Sequence, residues 1–138
     1  YMASRFLAGD VFEVVCQHPT LGEFRFQPKS NESCTYDIGG VRANDDASQI
    51  TGGGQAIYQM NRVRPSFELP IAVDTSTGQE TTNLVALSAD PDEGTWTLGL
   101  NSGASYKMKG RPVGDLQVDT NAATMTLKVS GSNKMELL

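Results

Sequence analysis

The stretch QAIYQMNRVRPSFELPIAVD, residues 55–74, gives the first prediction of the fold. From Val63 to Val73, mostly apolar residues fill the odd positions, and mostly polar or small residues fill the even positions. Alternation with a period of two is typical of a strand with one buried face. The whole stretch is about three times as long as an ordinary strand, so we expect its partner to come from a second copy of the chain. Pro65 and Pro70 predict breaks, bulges or an edge position within it.

The 138 residues predict a single domain over positions 1–138. Fourteen glycines and many Ser, Thr and Asn residues favour a turn-rich β structure over a helix bundle. The net charge of −5 argues against general affinity for DNA or for an anionic membrane, since both need clustered Lys and Arg. No apolar run is long enough to span a bilayer, and no membrane association is expected. The sequence begins without a secretory signal pattern, so export by that route is not expected.

The segments before the long stretch predict a β-hairpin. Val11–His18 and Glu23–Gln27 alternate as two strands, and the turn between them contains Pro19, Leu21 and Gly22. The residues assigned to the inward face are Phe12, Val14, Cys16, Phe24 and Phe26. Ser33–Ile38 predicts a further short strand.

Residues 41–54 predict a long mobile loop that leads into the main strand. The loop contains Asn44, Asp45 and Asp46, and it ends in Gly52, Gly53 and Gly54. Three adjacent glycines lose much backbone entropy on ordering, which disfavours a regular element. Two interpretations remain open: a plain solvated excursion, and an arm that orders on assembly, which we favour.

The second half of the chain predicts one helix and a meander. Glu80–Ala89 is the helix, with Leu84, Val85 and Leu87 facing a sheet, and Asp90 ends it because Pro91 follows. Strands are predicted at 95–100, 104–109, 115–119 and 124–130, with 110–114 as a turn. An apolar tail, 134–138, is expected to pair or dock.

Residues that could carry chemistry are few. His18 is the only histidine and lies beside a predicted turn, so a structural role is expected. Cys16 and Cys34 lack metal-ligand spacing and are expected to be reduced thiols, although a disulfide between them stays open. No metal, no cofactor and no enzymatic activity are expected.

Three parts of the chain together resemble the tail tube proteins of contractile-tailed bacteriophages. They are the hairpin VFEVVCQHPTLGEFRFQPKS (11–30), the glycine-rich segment before the long strand, and GRPVGDLQVDTNAATMTLKVSG (110–131). The resemblance covers most of the chain. It extends to the related tube subunits of type VI secretion systems and R-type pyocins.

The resemblance implies a β-sandwich or partial barrel with one flanking α-helix. Six copies would form a ring whose strands join a multi-subunit inner β-barrel, and stacked rings would form a hollow tube in the virion, assembled in the host cytoplasm. Expected partners are other copies of the chain, the tail sheath, and baseplate, initiator and terminator proteins. The tape measure protein and transiting DNA would pass through the lumen without specific binding.

Polar strand faces suit the wall of such a channel, because a polyanion must slide past without sticking. The candidate lumen-facing residues are Arg62, Arg64, Glu68, Asp115, Gln117 and Asp119. The candidate intersubunit residues are Asn44, Asp45, Asp46, Gly52, Gly53, Gly54, Pro19, Leu21, Leu137 and Leu138. The alternative function is a monomeric β-sandwich that binds a ligand such as carbohydrate. Its usual exposed aromatic face is not expected here, because the aromatic residues fall on the apolar phase of their strands.

Overall fold

The fold, seen in a computed structural model that describes residues 5–138, is an antiparallel sheet with one helix against it. The first strands are β1 (Val11–His18), β2 (Gly22–Phe26), β3 (Thr35–Asp37), β4 (Gly40–Ala43), β5 (Gln49–Ile50), β6 (Ala56–Ile57), β7 (Met60–Val63) and β8 (Ser66–Ala72). After helix α1 (Gln79–Ala89) come β9 (Gly94–Leu100), β10 (Ser105–Val113), β11 (Val118–Asp119), β12 (Thr124–Gly131) and β13 (Glu136–Leu137). The predicted class, mainly β with one flanking helix, is confirmed.

Nine of these strands form the body of the molecule. Their order is β2-β1-β9-β10-β12-β8-β3, with β11 added beside β12 and β13 beside β10. The sheet curls back on itself, because the segment after β2 reaches β8 through a bridge between Pro28 and Ile71. Over residues 5–138 it does not close into a barrel. The result is consistent with the partial barrel that the resemblance implied.

Two glycines allow a close approach of the backbones where β10 passes from β9 to β12. Gly110 and Gly131 lie opposite each other, and a β-carbon on Gly131 would lie 2.1 Å from the carbonyl oxygen of Lys109. No side chain fits at this approach. The Trp96 indole N–H donates to the Gly110 carbonyl oxygen at 3.0 Å and so connects the core to this part of β10.

A single core lies inside the curled sheet. Trp96 is at its centre, with its ring centroid 5.9 Å from that of Phe26 and 6.1 Å from that of Phe67. Helix α1 adds the buried side chains of Leu84 and Leu87. The alternation that predicted the main strand is confirmed for β8, whose Phe67, Leu69 and Ile71 are buried, as is Val73 just beyond it.

The long stretch is not one strand. It divides into β6, β7 and β8, and the break between β7 and β8 falls at Arg64 and Pro65. The expectation that a second copy must supply its partner is wrong for these segments. Strand β7 pairs with β4, β6 pairs with β5, and β8 pairs with β12 and β3.

The prediction of a long loop at residues 41–54 is also corrected by the structure. They contain most of β4 and all of β5, so they form the outgoing half of a hairpin rather than a loop without regular structure. The glycines provide the turn at its tip. Mobility of this segment in solution stays a prediction.

Three smaller expectations also differ from the structure. Phe12 is exposed, because a register shift between Val11 and Glu13 turns it out of the inward phase. Val85 lies on the solvent side of α1. Residues 110–113 continue β10 instead of turning, since Pro112 pairs with Val129.

Candidate assembly surface

The hairpin from Gly40 to Val63, hereafter the arm, stands apart from the body of the protein. Strands β4 and β7 form its inner part and β5 and β6 its outer part, as two small sheets separate from the nine-stranded one. Nearly all residues of these four strands are exposed. The arm therefore buries almost none of its surface against its own chain.

Apolar side chains are concentrated on this exposed arm. Their exposed fractions are 58 % for Val41, 75 % for Ile50, 49 % for Ile57, 70 % for Tyr58 and 56 % for Met60. A group of large apolar side chains on one projecting element marks an interaction surface. None of these five residues is among the intersubunit residues predicted from the sequence. The signal was present, because Ile50 and Ile57 flank the glycine turn almost symmetrically, which is a hairpin pattern.

The middle of the arm bends at a turn that we call the acidic corner, residues 44–47. The backbone N–H of Ala47 donates to the carbonyl oxygen of Asn44 at 3.2 Å, and the Ser48 hydroxyl donates to the same oxygen at 2.7 Å. The backbone N–H of Gln59, on the returning strand, donates to the Ser48 hydroxyl at 3.3 Å. These bonds tie the corner to both halves of the arm and leave Asp45 and Asp46 exposed.

A crowded joint connects the arm to the body. Gly39 has φ +76°, and a β-carbon there would lie 2.8 Å from the Pro65 nitrogen and 2.8 Å from the Val63 carbonyl oxygen. Asp37 accepts hydrogen bonds from the Arg42 guanidinium (2.8 Å to Nη1) and from the Gly39 N–H (2.9 Å). The Arg42 bonds, and then the Gly39 N–H, hold the pKa of the Asp37 carboxyl below its ordinary value. The joint therefore holds β4 through the Arg42–Asp37 pair, and it holds the end of β7 through the close approach of Gly39 to Val63 and Pro65.

The second predicted contact, the turn with Pro19 and Leu21, is held by a buried histidine. His18 Nδ1 accepts the backbone N–H groups of Thr20 (3.2 Å) and Leu21 (3.1 Å), so the neutral ring carries its proton on Nε2. Nε2 donates to the carbonyl oxygen of Asp92 at 3.2 Å. His18 therefore connects the turn to the loop after α1 through hydrogen bonds of its side chain.

The third predicted contact, the C-terminal tail, is anchored within the chain. Strand β13 pairs with β10, and Met135 is buried in the core. Leu137 and Leu138 remain largely exposed at the surface. The tail docks as expected, but its last two side chains have no apolar cover from the body.

The structure brings three of the six candidate lumen residues together at one cleft. Glu68, Asp115 and Gln117 come together around a cleft of about 390 Å³, which Lys128 also lines. Arg62 lies on the arm, and Arg64 lies in the link beside Pro65, so the break there separates them from Glu68. Residues 115–117 are irregular, and Asp119 lies apart on β11. Which of these residues face a lumen stays a prediction.

Within residues 5–138, no group of His, Cys, Asp and Glu is arranged to hold a metal ion. Both cysteines are unpaired thiols, and burial raises the pKa of Cys16 to about 12 and that of Cys34 to about 11. In the described part of the chain, no helix has the length and apolar character needed to cross a membrane.

Comparisons with known proteins add a likeness of fold. No protein-family profile matches the chain, and no curated protein matches it in sequence. Among solved structures, a chain in the cryo-EM structure of the anti-feeding prophage baseplate, 6-fold symmetrised, is similar to it. The match covers 99 % of this chain and 97 % of that one, with 14 % identity and a TM-score of 0.48. We draw no functional argument from a likeness of this size.

Proposed function

We propose that the chain is a structural subunit of a contractile phage-tail-like particle, and that within it the chain is a tail tube protein. Copies would assemble into stacked hexameric rings around a channel for DNA. The observation that carries this proposal is the arm, which presents apolar side chains on an element that its own body does not cover. Such a surface is stabilised when a neighbouring copy buries it.

Two further features support self-assembly. Among the strands of residues 5–138, β2 has one partner, β1, so its outer edge carries backbone groups that a neighbour's strand can use. The turn with Leu21 and the tail with Leu137 and Leu138 add exposed apolar groups at two other places. Joining strands across subunits would remove the open edge, as a closed ring requires. We propose a structural role and no catalytic one.

The alternative, a carbohydrate-binding module, is less well supported. Such a module needs an exposed aromatic platform on a sheet face, whereas Phe26, Phe67 and Trp96 are in the core. The exposed Phe12 and Tyr58 belong to different parts of the molecule, strand β1 and the arm. Tyr36 and Tyr106 pack against each other with centroids 5.0 Å apart, and Tyr36 is partly exposed. We do not favour this function on that pair alone.

Removal of the outer arm tests the proposal. Ala43 and Met60 lie directly opposite each other, so an Asn-Gly turn can replace residues 44–59 and close β4 onto β7. We expect the full chain to form hollow tubes or stacked sixfold rings over a concentration series in electron microscopy. The shortened chain should fold and remain monomeric.

A matched control is Val85→Ser, which removes an exposed apolar side chain from α1 without touching the arm. We expect this variant to assemble like the unmodified chain. Tubes of ordinary appearance from the shortened chain would show that the arm is not the assembly element. A full chain that stays monomeric at every concentration, and binds a glycan instead, would favour the alternative.

A further inference from the structure

The base of the arm forms one wall of a cleft of about 300 Å³. Gly40, Val41 and Arg62 line it from the arm, and the turn with Asn133 and Lys134 lines it from the body. Val41 and Arg62 lie opposite each other on β4 and β7, so their side chains share one face of the arm. Lys134 extends to the arm, since a β-carbon on Gly40 would lie 3.9 Å from Lys134 Cδ.

The charged residues of this cleft are both cations. Within residues 5–138, neither Arg62 nor Lys134 has an acidic partner within ion-pair distance. Arg42, on the other face of the arm, is instead paired with Asp37. The cleft is therefore a positive site on a chain whose net charge is −5. An acidic protein segment is a suitable occupant.

The acidic corner of the same arm has the complementary charge. Asp45 and Asp46 are adjacent and exposed, and within the described residues their carboxylates accept no hydrogen bond and form no ion pair. The bonds through Asn44, Ser48 and Gln59 hold the corner in place before any partner arrives. The ordering cost of binding is correspondingly small.

The acidic corner cannot reach the cleft at the base of its own arm. Asp45 lies five positions after Gly40, which is roughly 16 Å along an extended strand. The corner that enters a cleft must therefore come from another copy. A contact between two different patches of the same chain is heterologous, and heterologous contacts build rings or open stacks.

We propose that the cleft lined by Arg62 and Lys134 binds the acidic corner, Asp45 and Asp46, of a neighbouring copy. This contact presupposes the self-assembly proposed above and gives it a direction, from the corner of one subunit to the cleft of the next. A nucleic-acid phosphate would carry the same charge as the corner. It is the weaker candidate on a chain of net charge −5, because affinity for a polyanion needs many clustered cations. The cleft has two, and the adjoining cleft, which shares Lys134, adds Lys107 and Lys109 together with the acidic Glu136.

Charge reversal tests the contact. Arg62→Glu with Lys134→Glu makes the cleft negative, and Asp45→Lys with Asp46→Lys makes the corner positive. Each double variant alone then sets like charges against each other. We expect the protein concentration at which assemblies appear in sedimentation and electron microscopy to rise at least about tenfold for each. An equimolar mixture of the two should assemble again, since each cleft then meets a corner of opposite charge.

Lys29→Glu with Arg111→Glu is the control, because it makes the same change in net charge at residues that line neither this cleft nor the adjoining one. It should assemble at the concentration of the unmodified chain. Circular dichroism and thermal unfolding establish that every variant is folded.

Each outcome has a distinct meaning. Reversed variants that assemble normally while the unmodified chain also assembles would overturn the contact and leave the proposed function in place. Folded variants that fail both alone and in the mixture would overturn the pairing of cleft with corner. Normal assembly combined with lost binding of a DNA oligonucleotide by the cleft variant would assign the cleft to phosphate. An unmodified chain that never assembles would overturn the proposed function and the contact with it.

Discussion

Strands β7 and β8 come from one continuous stretch of sequence, but they have opposite surroundings. In β8, alternate side chains enter the core beside Trp96, and two neighbouring strands cover its edges. In β7, three of four residues are exposed and the one partner strand is β4. Only Arg64 and Pro65 separate them. Similar local sequence thus forms one strand that is buried in the fold and one strand whose surface stays exposed.

The largest expected effect comes from breaking the body strand. Leu69→Ala removes a buried side chain from β8 and leaves a cavity, so we expect the free energy of unfolding to fall by about 2–5 kcal/mol. Chemical denaturation monitored by Trp96 fluorescence measures this. A loss below about 1 kcal/mol would mean that β8 is not packed as described.

The joint should give the next largest effect. Gly39→Ala places a β-carbon against the Pro65 nitrogen and the Val63 carbonyl oxygen at a positive φ, which we expect to cost about 1–3 kcal/mol. The strain should fall on the arm, so amide hydrogen exchange of residues 40–63 should quicken more than that of β12. Equal change in both regions would contradict a separate arm. Gly103→Ala is a suitable control, since its φ is also positive but its surroundings are open.

The arm strand should respond in the opposite way to β8. Ile57→Ser with Met60→Ser removes exposed apolar side chains, so we expect the free energy of unfolding to change by less than about 0.5 kcal/mol per site. Self-assembly should nevertheless be lost, as seen by light scattering. A drop in stability as large as that of Leu69→Ala would show that these side chains are buried in the free subunit.

The smallest effect concerns the ion pair at the joint. The pKa of Asp37 is lowered in the folded chain, so its pairing with Arg42 stabilises the arm above the ordinary carboxyl pKa. This contribution is lost as the pH falls through the lowered value. Asp37→Asn should remove the acid dependence of exchange at Gly39 and Gly40 while leaving neutral-pH thermal unfolding nearly unchanged. An unchanged pH profile in that variant would assign the dependence to another group.

The body of the fold could be predicted from the sequence, because apolar residues mark the buried positions of its strands and helix. The alternation of Met125, Leu127 and Val129 predicted β12, and Pro91 predicted the end of α1. The arm was misjudged for a physical reason. Its apolar side chains are not buried within the chain, so the sequence shows no regular alternation of buried and exposed positions there. In addition, the three adjacent glycines favoured the prediction of a loop without strand pairing.

The candidate sites were only partly predictable. Glu68 meets Asp115 and Gln117 at the cleft, but it lies nearly fifty residues before them in the sequence. The sequence does not show how these two segments are aligned in space. Lys134 approaches the arm only because the tail turns back along β10. Neither juxtaposition is a local property, so only the tertiary fold reveals it.

If copies assemble as proposed, the uncovered arm would also determine the fate of subunits that are never incorporated. With little buried surface to hold it, the arm is the part that we expect to open first, and it carries trypsin-type cleavage sites at Arg42 and Arg62. Incorporation would cover those same peptide bonds. A protease in the surrounding compartment would therefore remove surplus copies and spare finished particles, so that turnover reports whether a subunit has found its neighbours.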